Sequence, residues 1–356
     1  MENNSFIYKA PWSGPVETKK QIKKTKRTIP AMISFSFAFY HPEKYCLYRL
    51  PGVCYNNPIM DKQADIRDQA HLSGTEVKKL NFIKNSEDII FRKYYRSGLR
   101  SHIFEVLAAN DVLKETQGEI IDGIRMFPRA RPTKIFRILR NRFKNKEAIF
   151  QEVKKYNLLL QFLGPELIAT SQEFMVDYTG TGTSQIVLCG LQEYVEGQIL
   201  DPWRLYGKDY LLELFKSMPN KDKSPRDIQC RPQVEKLADK ARNNIENFVK
   251  KIRHMITNAG YIPDLAGIGN LIITPEGNLK LVDINNIVEI KLSNTILLDD
   301  KGYPSCDVSI EVLAILEQDI LQKKISLDDP LFQFFLSPDR KKKVKTIEKK
   351  FYEKQA

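Results

Sequence analysis

The amino-acid sequence predicts an α+β protein of two lobes, β-rich in the first and helical in the second. Three observations carry that expectation. Short β-branched and aromatic runs separated by turn residues occupy residues 74–193, with one clear helix-periodic stretch among them. From residue 194 onward amphipathic helical stretches dominate. The chain has 356 residues, 42% of them hydrophobic, enough for several domains or one large bilobed domain with true cores. The expected division is an irregular extension with a basic run at 1–73, an N-lobe at 74–193, a C-lobe at 194–330 and a basic tail at 331–356.

Taken in order, prolines interrupt the first seventy or so residues, and the Tyr-rich Phe39–Tyr55 is expected as an extended covering segment. Val77–Ile83 and Ile89–Tyr95 read as strands and Phe104–Leu113 as a short helix. Ile120–Met126 and Lys134–Leu139 read as a strand pair across Pro128 and Pro132. Lys146–Phe162 is helix-periodic through Ile149, Val153, Tyr156, Leu159 and Leu160, and Gly164-Pro165 stops it. Strands follow at Leu167–Tyr178 and Gln185–Glu193, with Gly190 allowing close approach, and Tyr194–Gly197 links to helices at Asp209–Ser217 and Gln233–Asn258. Met218–Arg231 reads as a loop, Leu271–Thr274 and Leu279–Asp283 as a hairpin, and Asp307–Gln322 as the final helix.

Charge and composition exclude several classes. Charged residues make up 28% and aromatics 10%, a globular composition. No run approaches the ~18 apolar residues of a membrane span. The N-terminus shows no apolar core before a small-residue cleavage site, so no signal peptide is expected and the cytoplasm is the expected location. Five cysteines without CxxC spacing predict packed, reduced thiols. The four histidines show no metal spacing. The net charge of +12 concentrates in Lys19–Arg27, Arg129–Lys146 and Arg340–Lys350. The two terminal runs read as solvated segments able to meet an acidic partner or an anionic surface.

The chemistry concentrates in Tyr261–Ile287. Asp264 and Asn270 flank a Gly-rich loop after the long helix, and Asp283 ends the hairpin thirteen residues beyond Asn270. An amide at the start of a hairpin and an acid at its end bring hard oxygen donors to one edge, which suits Mg²⁺. A carboxylate upstream in the same loop can orient or deprotonate a hydroxyl nucleophile.

This segment resembles the catalytic region of the protein-kinase-like superfamily, nearer to its small-molecule and sugar kinases than to protein kinases. The resemblance implies a bilobed fold binding ATP and Mg²⁺, with Asp264 as the catalytic Asp that orients or deprotonates the hydroxyl and Asn270 and Asp283 as metal ligands. It implies that Arg137, on the strand that carries the family's phosphate-binding Lys, pairs with Glu152 on the following helix. Gln192, Glu193, Tyr194 and Val195 would form the hinge against adenine, and Asp307 would tie down the catalytic loop. Lys134 and Lys93 are alternative cations. Four departures stand out: an Asp-to-Asn interval of six, an Arg for the strand Lys, no G-x-G-x-x-G loop, and only 23 residues between Asp283 and Asp307. The last leaves little room for a peptide-docking segment. The implied activity is therefore transfer of a phosphoryl group from ATP to a hydroxyl of an unidentified non-protein acceptor. The alternatives are a catalytically impaired, pseudokinase-like binding or scaffold protein and a basic nucleic-acid-binding protein.

Overall fold

The computed structural model describes residues 65–354 apart from 85–86, 96–99, 205–206, 208, 219–230 and 327. The chain divides into two units, Met1–Ser36 and Phe37–Ala356, and every described residue belongs to the second. The basic run Lys19–Arg27, the segment Phe39–Tyr55 and most of the loop Met218–Arg231 lie outside the described residues.

The fold is α+β, centred on a five-stranded antiparallel sheet. It opens with a short helix, α1 (Gly74–Lys78), where a strand is expected. Ser73 and Glu76 decide this: the Ser73 hydroxyl accepts from the Glu76 N–H at 3.2 Å, and the Glu76 carboxylate accepts from the Ser73 N–H at 2.7 Å. That capping box overrides the β-compatible composition of Val77–Ile83. Strand β1 (Ile89–Lys93) pairs with β2 (Ser101–Ala108), and α2 (Ala109–Gln117) follows. The stretch Phe104–Leu113 is thus half strand and half helix, because β2 lies between two partners and is buried on both faces.

Strands β3 (Glu119–Ile121) and β4 (Ile124–Met126) pair with each other, not with Lys134–Leu139 as expected. Asp122 and Gly123 both take positive φ, 50° and 79°, the turn that closes a two-residue hairpin locally. Strand β5 (Lys134–Leu139) instead sits between β2 and a later strand. Helix α3 (Lys146–Leu163) starts at Asn145, whose side chain accepts from the Ala148 N–H, and stops at Gly164 with φ 76°. Strands β6 (Ser171–Tyr178) and β7 (Gln185–Glu193) complete the order β1-β2-β5-β7-β6.

The remainder is mainly helical. Strand β8 (Gln198–Ile199) leads to α4 (Tyr210–Ser217) and α5 (Arg231–Ala259). Helix α5 buries Val234, Ala238, Ala241, Ile245, Phe248, Ile252 and Met255, alternating steps of four and three that draw one apolar stripe down the helix. Strand β9 (Tyr261–Pro263) follows it, then the hairpin β10 (Leu271–Ile273) and β11 (Leu279–Leu281), and β12 (Ile287–Glu289) returns to pair with β9. Helix α6 (Ser305–Ile315) continues as a π turn to Ile320.

Neither α6 nor its π turn ends the fold. The expected basic tail forms α7 (Pro330–Phe335) and α8 (Pro338–Glu353), with Phe332, Phe335, Val344 and Phe351 buried. Lysine-rich sequence conceals this because so few positions of α8 are apolar. Arg340 supplies the anchor: its guanidinium donates to both carboxylate oxygens of buried Asp307, at 2.5 and 3.1 Å. No helix of the described residues is long and apolar enough to cross a membrane.

Candidate functional site

Hairpin β10–β11 is held by its interior. Leu271, Ile273, Leu279 and Leu281 are all buried, and Leu271 pairs with Leu281. One step outside that pair the Val282 N–H donates to the Asn270 carbonyl at 2.8 Å. Asn270 and Asp283 are thereby brought to the same end of the hairpin, as expected from their spacing. The Asn270 side-chain NH₂ donates to the Asp264 carbonyl at 2.9 Å, which leaves its oxygen as the remaining ligand atom. Gly267 makes room for that amide, since a Cβ there would lie 2.6 Å from it.

Asp264 follows β9 and is buried. Its carboxylate accepts from the Ala266 N–H at 2.9 Å and from the Asn286 NH₂ at 2.9 Å. Burial first, and the neighbouring Asp283 charge second, push its pKa up to about 6; Arg100 pulls the other way. Asp283 is half-buried, and its carboxylate accepts from the Asn285 N–H at 3.3 Å.

These three residues line a cleft of about 330 Å³ together with Arg100, Ile135, Arg137 and the strand end Gln192–Val195. The sheet and the segments that follow it thus both contribute lining residues. Gln192 and Glu193 have side chains with structural tasks: the Gln192 NH₂ donates to the Val282 carbonyl at 2.7 Å, and the Glu193 carboxylate accepts from the Thr170 N–H and hydroxyl, both at 3.2 Å.

Of the three candidate cations, Arg137 alone lines the cleft. Lys93 sits within 2.9 Å of the His71 ring, and Lys134 belongs to the same strand as Arg137 at odd spacing, facing elsewhere. The expected Arg137–Glu152 pair does not form. Glu152 pairs with Lys155 along α3 at 3.2 Å, while the Arg137 guanidinium donates to Glu173 at 2.6 Å and to the Ser171 hydroxyl at 3.1 Å. Strand order explains the exchange. Arg137 is opposite Gly190, and Gly190 is opposite Glu173, so the three lie in one row across β5, β7 and β6. Gly190 leaves room for the pair: a Cβ would stand 2.8 Å from Glu173 and 2.9 Å from Arg137 and would displace one of them. The Arg137 Nε donor remains buried without a partner.

Asp307 is likewise reassigned. It binds Arg340, and the loop after Asp264 is tied down by Ser309, whose hydroxyl accepts from the Leu265 N–H at 3.1 Å. Sequence reasoning missed Glu173, Asn286, Ser309 and Arg100; only alternation along β6 hinted at Glu173. Cys189 and Cys306 are free and buried, and burial holds both thiols above their ordinary range. No cluster of three or more His, Cys, Asp or Glu side chains among the described residues could hold a metal ion. The donor set at the cleft is one amide and one carboxylate, which suits a cation that completes its shell with water and phosphate oxygens. The Arg137 guanidinium adds positive charge to the lining of the cleft, which suits an anion there. No family model and no curated protein matches the chain.

Proposed function

We propose that the chain is a kinase-like phosphotransferase of bilobed architecture that transfers the γ-phosphoryl group of ATP to a hydroxyl of a non-protein acceptor. The observation that carries the reading is the convergence of Asp264, Asn270 and Asp283 on one cleft that Arg137 also lines. Asp264 would take the acceptor's hydroxyl proton as the new P–O bond forms and ADP departs. A carboxyl near pH 6 is poised for that role at neutral pH. Asn286 and the Ala266 N–H hold it in place. Asn270 and Asp283 would hold Mg²⁺. Bound there, the ion would neutralise phosphate charge. Arg137 would supply positive charge on the phosphate side of the cleft, its Nη2 being committed to Glu173 and Ser171. Catalysis of this kind is mostly positioning and electrostatics.

The test is a thermal shift with ATP, with and without Mg²⁺, beside Asp283→Ala. Binding stabilises the native state by mass action, so Mg²⁺-dependent stabilisation lost in the variant supports the reading. No shift at millimolar ATP overturns it. A second reading, a pseudokinase-like module that binds nucleotide without transferring phosphate, draws support from the engagement of Arg137 with Glu173 and the absence of Glu152 from the cleft. Asp264→Ala separates the two: lost turnover with retained nucleotide binding favours catalysis, and a wild type that binds without turnover favours the module.

A further inference from the structure

We propose that Arg100 is a positioning residue that clasps Asp299 and Asp300 and so holds the cleft closed over its nucleotide. The inference rests on the nucleotide-binding reading above. Arg100 immediately precedes β2, and its carbonyl accepts from the Arg140 N–H at 2.9 Å, which fixes its backbone to the end of β5. Its side chain leaves the sheet. Nη2 donates to Asp299 at 2.7 Å and to Asp300 at 2.7 Å, and Nε donates to Asp300 at 2.9 Å. These contacts join residues 199 and 200 positions apart.

The receiving end is built for the purpose. The Asp299 side chain is 4% exposed, and its carboxylate also accepts from the N–H groups of Lys301 and Tyr303 and from the Ser305 hydroxyl. Tyr303 is in turn held by α8, its hydroxyl donating to Glu348 at 2.7 Å. Asp300 is 47% exposed, so the clasp reaches the surface while Arg100 lines the same cleft as Asp264, Asn270 and Asp283. Arg100 thus reaches from the cleft lining to a half-exposed acid outside it, so the contact ties the cleft's Arg100 side to residues 299–300. Burial of one acid protects the pair from screening, and the planar, forked guanidinium meets both acids with a fixed geometry that the point charge of a Lys does not reproduce. The tie at Gln192–Val282 also joins the sheet to the segments that follow it, but it uses neutral groups on the strand that leads directly into the helical part.

The experiment uses the full chain, a fluorescent ATP analogue with Mg²⁺, and stopped-flow dissociation. Arg100→Gln and the double variant Asp299→Asn/Asp300→Asn each speed dissociation about ten-fold or more, with Arg100→Lys between them and wild type. If removing the acids slows dissociation or leaves it unchanged while removing the Arg speeds it, Arg100 is a plain phosphate ligand and the clasp is overturned. Hydrogen exchange of the ligand-free protein gives an independent arm. Arg100→Gln should raise exchange across residues 299–305, and Asp300→Asn, at a half-exposed position, should raise it across residues 101–104. Absence of either reciprocal response overturns the clasp. A wild type that binds no nucleotide defeats the phosphotransfer reading itself, and the exchange data then decide the clasp alone.

Discussion

Asp264 and Asn286 hold each other twice: the Asn286 NH₂ donates to the Asp264 carboxylate at 2.9 Å, and the Asp264 N–H donates to the Asn286 carbonyl at 2.7 Å. The second bond extends the β9–β12 ladder by one step beyond the Ile287–Pro263 pair. The ladder therefore aims the amide that fixes the carboxylate, and a backbone feature sets the direction of a side chain in the cleft.

The raised carboxyl makes stability depend on pH with a definite sign. Asp264 moves from 3.8 to about 6 on folding, so its contribution is complete below about pH 3.8 and is lost as pH rises through about 6. At neutral pH that difference amounts to about 3 kcal/mol of destabilisation at most. Asp264→Asn should therefore melt above wild type at pH 7–8, with the advantage shrinking towards pH 4. Paired melts across that range check the sign.

Removing the partner amide should act on both charge and position. Asn286→Ala leaves one Asp264 oxygen buried without its donor, at a cost of about 1–3 kcal/mol. Because that donor favours the charged carboxylate, its loss raises the Asp264 pKa further. The acidic limb of the pH–rate profile should lie at higher pH than in wild type, while nucleotide affinity stays within about two-fold.

The row Arg137–Gly190–Glu173 should prove far more costly to break than the pair once expected. Both ionic side chains are about 5% exposed. Glu173→Ala strands a buried guanidinium and should cost about 3–5 kcal/mol in urea unfolding. Glu152→Ala, which breaks only a surface contact with Lys155, should cost about 0.5 kcal/mol or less. Equal effects would contradict the assignment.

Helix α8 should behave as part of the fold. Arg340 and Asp307 are both under 10% exposed, and Arg340 also donates to the Ser293 carbonyl at 2.7 Å. Arg340→Ala should cost about 3–5 kcal/mol by leaving Asp307 unpaired. Replacing the exposed Lys342, which has no such burial, should change the melting temperature little.

Much of the architecture was legible in local pattern. Helix α3 announced itself through apolar periodicity and its Gly164-Pro165 stop, α5 through its amphipathic pattern, and the β10–β11 hairpin through its turn. Asp264, Asn270 and Asp283 could be grouped because a tight hairpin ties their positions together over a short stretch of chain. The errors have equally physical causes. Val77–Ile83 lost to a capping box that two residues control, and Ile120–Met126 lost its distant partner to the positive-φ turn at Asp122-Gly123.

By itself, then, the amino-acid sequence determined what short-range physics can write: helix periods, turns, and the spacing that gathers oxygen donors at one hairpin end. Only the tertiary structure decided which charges meet. Arg137 chose Glu173 over Glu152, Asp307 chose Arg340, and Arg100 met Asp299 and Asp300. Strand order and helix docking set those pairings, and both arise from packing between segments far apart in the chain, where residue spacing carries no information about distance.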